Sequence, residues 1–388
     1  MAGTRWRPCR RVHGQAMTEP VVPIGEELIM YTRGLELTRA QAFCERFGLR
    51  VPILLAPMAG ACPPSLSIAV AKAGGLGACG ALLMQPAAIK DWAAEVRAGG
   101  NGAFQLNLWI PDPPPIRDPA AEARVRAFLQ TWGPEVSPDA GNTTPPDFAA
   151  QCDAMLEAGA PIISSIMGLY PPAFVDRMKA RGTKWFVTVT TVAEAKAACQ
   201  AGADAIVAQG MEAGGHRGAF DAAKAEAGMV GLFALLPAVV DAVDVPVIAT
   251  GGIADARGVA AALILGASAV QIGTGFLRCP EAKLPPVWAD AIGQSQPEQT
   301  ILTRAFSGRA GRSIATDYAR AATAPDAPPP APYPVQRGLT QAMRDAAVKG
   351  NDIARMQAWA GQSARLAPAR PAAGVVGALW DEARGLLG

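Results

Sequence analysis

The chain has 388 residues, of which 50% are apolar and 18% charged, with a formal net charge of +2. This composition supports a large buried core and excludes a charge excess of the kind that binds nucleic acid or acidic partners. The seven cysteines show neither a CxxC pair nor zinc-type spacing, which predicts reduced thiols in a cytoplasmic setting and no metal, and no run of 18 uncharged apolar residues offers a membrane span.

Residues 1–16 carry Arg5, Arg7, Arg10 and Arg11 with no apolar stretch behind them. That is not the pattern of a secretory signal, and Met17 stands as an alternative start. From there, short apolar, β-branched runs alternate with Ala-rich helical segments. The runs predict strands at Ile53–Met58, Gly77–Gly80, Phe104–Ile110, Ile162–Met167, Trp185–Thr190, Ala205–Gln209, Val247–Thr250 and Ala269–Gly273. Helices are expected at Ser65–Ala73, with Ser65 as N-cap, and at Pro171–Ala180, with proline in the first turn. Val192–Gln200 and Ala256–Leu265 are expected to stop at Gly202 and Gly266. Near-continuous apolar strands joined by helices imply a parallel sheet covered on both faces. Eight such units predict an α/β fold of the (β/α)8 TIM-barrel type. The rival, a doubly wound open sheet, would place G-x-G-x-x-G after the first strand; Ala56-Pro57-Met58-Ala59-Gly60 stands there instead.

Two regions interrupt the alternation. Pro111–Pro115 and Thr143–Pro146 bracket a helical excursion at Ala120–Thr131. After the eighth strand, helices are expected near Pro286–Gly293, Leu339–Lys349 and Asp352–Ala360, with Pro325–Pro334 as an extended connector. The expected division is a leader and first helix over 1–50 and a barrel over 51–279. A helical lobe over the barrel mouth, with a C-terminal helix, is expected over 280–388.

In such a barrel the chemistry sits at the C-terminal ends of the strands. Met58 and Gly60 close the first strand, and Asn107 lies in the third. Gln209-Gly210-Met211-Glu212-Ala213-Gly214-Gly215-His216-Arg217-Gly218 follows the sixth. Gly214 and Gly215 would let the backbone approach a ligand. The chain has two histidines and the other, His13, lies in the leader, so acid-base work by an imidazole falls to His216. Glu212 is placed to orient His216, to pair with Arg217, or to stand as a solvated loop charge. Gly251-Gly252 and Gly273-Thr274 end the last two strands, where free amides form a nest for a phosphate. Asn107 and Gln209 carry amides suited to a ring with both donors and acceptors. Cys62 and Cys279 read as small buried hydrophobes.

Together these residues resemble the nitronate monooxygenase family, formerly called 2-nitropropane dioxygenases. The resemblance runs from about Val51 to the C-terminus. It rests on Ala56–Gly60, Gly74-Gly75-Leu76-Gly77, Gln105-Leu106-Asn107-Leu108, Gln209–Gly218, Ala249-Thr250-Gly251-Gly252-Ile253, Gln271-Ile272-Gly273-Thr274, Ala305-Phe306-Ser307-Gly308-Arg309 and Trp359-Ala360-Gly361-Gln362. The resemblance implies FMN, with its phosphate on Gly251-Gly252 and Gly273-Thr274. It implies cofactor contacts from Ala56, Pro57, Met58, Asn107, Gln209, Gly214, Gly215 and Gln271, and His216 as catalytic base. The implied reaction is oxidation of alkyl nitronates or nitroalkanes with oxygen to a carbonyl product and nitrite. The glycine-histidine motif is shared with flavin-dependent enoyl-acyl-carrier-protein reductases, which would need NAD(P)H and a basic docking face. A flavin-binding protein without turnover is the third alternative. Only four tyrosines are present, so a tyrosine-lined pocket is not assured.

Overall fold

Eight short parallel strands carry the architecture: β1 (Ile53–Leu55), β2 (Gly77–Gly80), β3 (Phe104–Trp109), β4 (Ile162–Ile166), β5 (Lys184–Val189), β6 (Ala205–Gln209), β8 (Val247–Thr250) and β9 (Ala269–Ile272). β7, a two-residue strand at Gly215–His216, lies outside this set. The computed structural model describes residues 34–388, so the Arg-rich leader, His13 and Met17 lie outside the described residues. The strands run β1-β9-β8-β6-β5-β4-β3-β2. A parallel bridge between Leu54 and Leu76 then joins β1 to the residue before β2, closing the sheet into the expected (β/α)8 barrel.

Side chains alternate across a strand, and the interior face changes character along its length. Leu54, Leu76, Ile162, Phe186, Val207, Ile248 and Ala269 form an apolar layer. Helix Leu35–Phe47 adds Phe43 and Phe47 to it, with Phe47 edge-on to Phe186 at 4.9 Å between ring centroids. Phe43 is fully buried, worth about 1.5–3 kcal/mol, and with the partly buried Phe47 it plugs the barrel floor. Two residues further along, the interior positions become Asn107, Ser164, Thr188, Gln209, Thr250 and Gln271, all buried and polar. The barrel is thus sealed at its floor and polar toward its mouth.

Several strands end earlier than the sequence predicts. Ala56-Pro57-Met58 and Gly273 leave the ladder and line the mouth instead. Helix Val192–Gln200 is as expected, and Gly202 and Gly266 adopt positive φ after their helices. The first βα helix, Pro64–Lys72, opens on Pro63 rather than on a serine cap. The Ser65 hydroxyl donates to Glu281 O at 2.8 Å and is not available to cap.

The two interruptions share one core. Val125 and Leu129 of the excursion helix Pro119–Leu129 pack with Phe306, Tyr318, Leu339 and Met343. Besides the helices Pro286–Gln294, Val335–Leu339 and Gln341–Lys349, the C-terminal region carries β10 (Thr300–Thr303) and β11 (Gly311–Ile314). These form an antiparallel sheet in the order β10-β11-β7. Residues Asp352–Ala360 do not form the expected helix. Their backbone bonds sideways instead: Ile314 N donates to Ala358 O at 2.9 Å, and Trp359 bridges Ser313. The chain ends in helix Ala372–Leu387, which packs against the barrel helices Ala256–Ile264 and Pro64–Lys72.

Candidate active site

The polar mouth opens into a cavity of about 390 Å³, within the usual range for a small-molecule or cofactor site. Ala56, Pro57, Met58, Asn107, Gln209, Gly214, Gly215, His216, Gly251, Gly252, Gln271, Gly273 and Thr274 all line it. The candidate cofactor contacts and the candidate base therefore meet in one place, whereas Glu212 does not line it.

His216 is held in a cage. Its Nε2 lies 2.7 Å from Ser307 Oγ, and its ring sits edge-on between Trp109 (4.6 Å) and Trp359 (4.8 Å). Ser307 Oγ is 3.3 Å from Arg309 O. A relay from His216 Nε2–H to Ser307 and from Ser307 to that carbonyl leaves Nδ1 as the unprotonated nitrogen. Burial, with the nearby charges of Arg309 and Arg337, lowers the imidazole pKa to about 3. The ring is neutral at physiological pH and able to accept a proton.

The rest of the glycine-histidine motif serves that placement. His216 pairs with Gly311 across β7 and β11. Gln209 Nε2 donates to His216 O at 3.1 Å, and its Oε1 accepts from Gly218 N at 2.8 Å. One N–H and one lone pair of that amide remain. Arg217 is buried and donates to Gly210 O and Gln209 O, while Arg312 donates to Met211 O. Glu212 takes none of the three expected roles. Its carboxylate accepts from Leu232 N at 2.9 and 3.0 Å, closing the start of helix Leu232–Val240.

The two glycines differ in their reason. A Cβ on Gly214 would meet Gly361 N at 2.4 Å and the Ala360 carbonyl carbon at 2.6 Å, so Gly214 permits a backbone crossing with the C-terminal segment. Gly215 has φ +73° and open space around it; there the left-handed backbone, not contact, calls for glycine.

The opposite wall suits an anion. Gly251 and Gly252 both have positive φ. The amides of Gly252, Gly273 and Thr274 donate to no other residue among those described. A Cβ on Gly273 would reach into the same space, 3.2 Å from Met58 Sδ. Thr274 Oγ1 accepts from Gly361 N at 3.0 Å, leaving its hydroxyl proton free. Gln105 Nε2 donates to Gln271 Oε1 at 3.0 Å, which presents the other side of the Gln271 amide to the cavity. Asn107 Nδ2 donates to Ser164 Oγ at 3.0 Å.

Sequence reasoning missed Trp109, Tyr333 and Arg337 as lining residues, and missed the roles of Ser307 and Trp359. Ser307 and Trp359 lie in segments that the family resemblance already marks; Trp109 is two residues from Asn107 on the same strand face. A single tyrosine, Tyr333, lines the cavity, 5.3 Å from Trp109. Cys62 and Cys279 are buried, and burial pushes both thiols up to about 12. The six described cysteines are all free. Among the described residues no cluster of metal-ligating side chains is present and no helix is long and apolar enough to cross a membrane.

Comparison with known proteins agrees with this geometry. A probable nitronate monooxygenase of Staphylococcus aureus (strain Newman) is 36% identical over 331 residues, covering 84% of this chain and 93% of the relative. The crystal structure of nitroalkane oxidase from Streptomyces ansochromogenes superposes with a TM-score of 0.81 at 35% identity, over 89% of this chain and all of that one. FabK from Thermotoga maritima is more distant, with a TM-score of 0.70 at 28% identity over 89% of this chain and 96% of its own. The family model for nitronate monooxygenase matches residues 42–382, and the chain belongs to that family of flavin-dependent oxidoreductases.

Proposed function

We propose that this enzyme carries FMN in the described cavity and oxidises alkyl nitronates, and neutral nitroalkanes, with oxygen to a carbonyl compound and nitrite. The cradle of free amides at Gly252, Gly273 and Thr274 fits a phosphate. Ala56, Pro57, Met58, Asn107, Gln209, Gly214, Gly215 and Gln271 supply the remaining wall for a flat ring with donors and acceptors. When bound, the flavin supplies the electron-accepting and oxygen-reducing chemistry.

The observation that carries the reading is His216: neutral, caged by two tryptophans and oriented by Ser307. A neutral imidazole accepts the α-proton of a nitroalkane. The nitronate formed beside it then favours the imidazolium by charge pairing, offsetting the burial that disfavours the cation. Trp109 and Trp359, packed edge-on against the imidazole, shield it from water and keep that interaction strong. A preformed nitronate needs no deprotonation, so His216 then only positions it.

His216→Asn tests this assignment. The variant should keep its flavin and lose roughly 10²–10⁴-fold in kcat/KM on neutral nitroalkanes, with a smaller loss on the matching nitronates. Equal losses on both substrates would replace base catalysis by positioning. An unchanged rate on both removes His216 from the mechanism, and the absence of nitrite from every nitronate tried refutes the reading as a whole.

A further inference from the structure

Three arginines approach the His216 end of the cavity, and two are occupied. Arg309 Nη1 pairs with Asp112 at 2.8 Å and its Nη2 donates to Ala219 O at 3.2 Å. Arg344 donates to Thr340 Oγ1, Gln357 Oε1, Gln341 Oε1 and Arg337 O. The side chain of Arg337 donates to no residue among those described, although it lines the cavity and is only half exposed. The nearby carboxylate of Asp345 accepts from Gln341 Nε2 at 2.6 Å.

We infer that Arg337 is the group that holds the negatively charged NO2 end of the substrate beside His216, an assignment that rests on the nitronate reading above. A half-buried guanidinium with five donors and no acceptor is costly to leave unmatched. Its planar fork fits two coplanar oxygens sharing one charge. The backbone beneath it is fixed. Gln336 donates to Ala305 O at 2.7 Å and accepts from Ala331 N at 2.9 Å, and Arg344 Nη2 donates to Arg337 O at 2.9 Å. The root of the side chain is therefore fixed before the substrate arrives. Before substrate arrives His216 does not supply this charge, because burial and the flanking arginines lower its pKa. The other titratable groups facing Arg337 are Tyr333, Asp345 and Arg344, and none of them adds a free cation. Leu83, Tyr333, Arg337 and Asp345 also border a second cavity, of about 530 Å³. Arg337 thus stands on the wall that the two openings share.

The experiment titrates nitrate, a planar unreactive oxyanion, into the flavin-loaded enzyme and reads the visible difference spectrum. Wild type should bind it. Arg337→Gln should bind about 10–100-fold more weakly, the loss expected for one or two charge-assisted hydrogen bonds. Arg337→Lys, which keeps the charge without the fork, should fall between the two. Arg337→Met, which keeps the aliphatic stem, replaces the Gln variant if that one loses its flavin. The KM for nitronate should rise in parallel with the nitrate Kd while kcat changes less. The His216 ionisation should move upward in the pH profile, since a cation that depresses it has gone. Equal nitrate affinity in wild type and the Gln or Met variant overturns the inference, as does failure of wild type to bind nitrate. An enzyme that binds nitrate through Arg337 but releases no nitrite from nitronates keeps the anion site and refutes the nitronate reading instead.

Discussion

Gly214→Ala places a methyl carbon 2.4 Å from Gly361 N and 2.6 Å from the Ala360 carbonyl carbon. Both contacts are main chain, so no rotamer change relieves them. Gly214 is not among the positive-φ glycines, so the substitution carries no left-handed penalty and isolates the crossing itself. Overpacking of this kind costs about 1–3 kcal/mol, and two backbone clashes put the change at or above the upper end, a few degrees in Tm. The functional loss should exceed the stability loss, because the strands being pushed apart carry His216 on one side and Trp359 on the other. Gly361→Ala attacks the same crossing from the opposite side, with its Cβ 2.8 Å from Glu212 O and 3.0 Å from Gly214 N. Once one substitution has separated the strands the second costs less, so the double mutant should be more stable than the sum of the singles predicts. The assays are thermal unfolding and kcat/KM on all four proteins. Additive single effects, or a Gly214→Ala enzyme with wild-type Tm and activity, would refute the reasoning.

Gly273→Val should weaken FMN binding more than it destabilises the apo protein. Its φ of −104° accepts a side chain, and the nearest neighbours are the flexible Met58 thioether and the Ala56 methyl. Loss of two charge-assisted bonds to phosphate would cost on the order of 3–6 kcal/mol of affinity, read by flavin titration against the Tm of the apo form; unchanged affinity in a folded variant contradicts the phosphate assignment. The depressed pKa of His216 also predicts acid lability of the apo protein. Its ordinary value is 6.5 and the folded value about 3, so the unfolded state binds the proton first. The associated stability is present above about pH 6.5 and is lost as pH falls toward 3, with a slope of up to about 1.4 kcal/mol per pH unit. Denaturant unfolding of wild type and His216→Asn between pH 7.5 and 4.5 isolates this contribution, since other groups cancel in the difference; a pH-independent difference contradicts the shift.

The barrel was legible because each apolar run had to be a strand buried on both faces and each Ala-rich segment a covering helix. The glycine clusters were legible because positive φ at Gly215, Gly251 and Gly252 and close backbone approach at Gly214 leave few alternatives to glycine. What escaped was the product of distant pairing. Asp352–Ala360 has helix-forming composition, but Ile314 claims the Ala358 carbonyl and Ser313 bridges Trp359, a competition that no local window contains. The role of Glu212 escaped for the same reason, since its partner, Leu232 N, lies 20 residues away on the next helix. Trp109 could have been found: it follows Gln105 and Asn107 at period two, so the register that turns Asn107 inward turns Trp109 toward the mouth.

The short strand that bears His216 has no partner in the barrel; it bonds to β11, nearly a hundred residues later in the chain. The imidazole rests on Ser307 and Trp359 from that same later stretch. On the proposed reading the base is braced from this later stretch, while the proposed phosphate amides of Gly252, Gly273 and Thr274 belong to the barrel. A chimaera that keeps this barrel but takes residues 280–388 from a relative exchanges the braces of His216 and, with Gly361, the donor to Thr274 Oγ1 beside the proposed cradle. Substrate range should therefore shift more than flavin affinity in such hybrids, with the Gly214–Gly361 crossing as the seam that both parents must match.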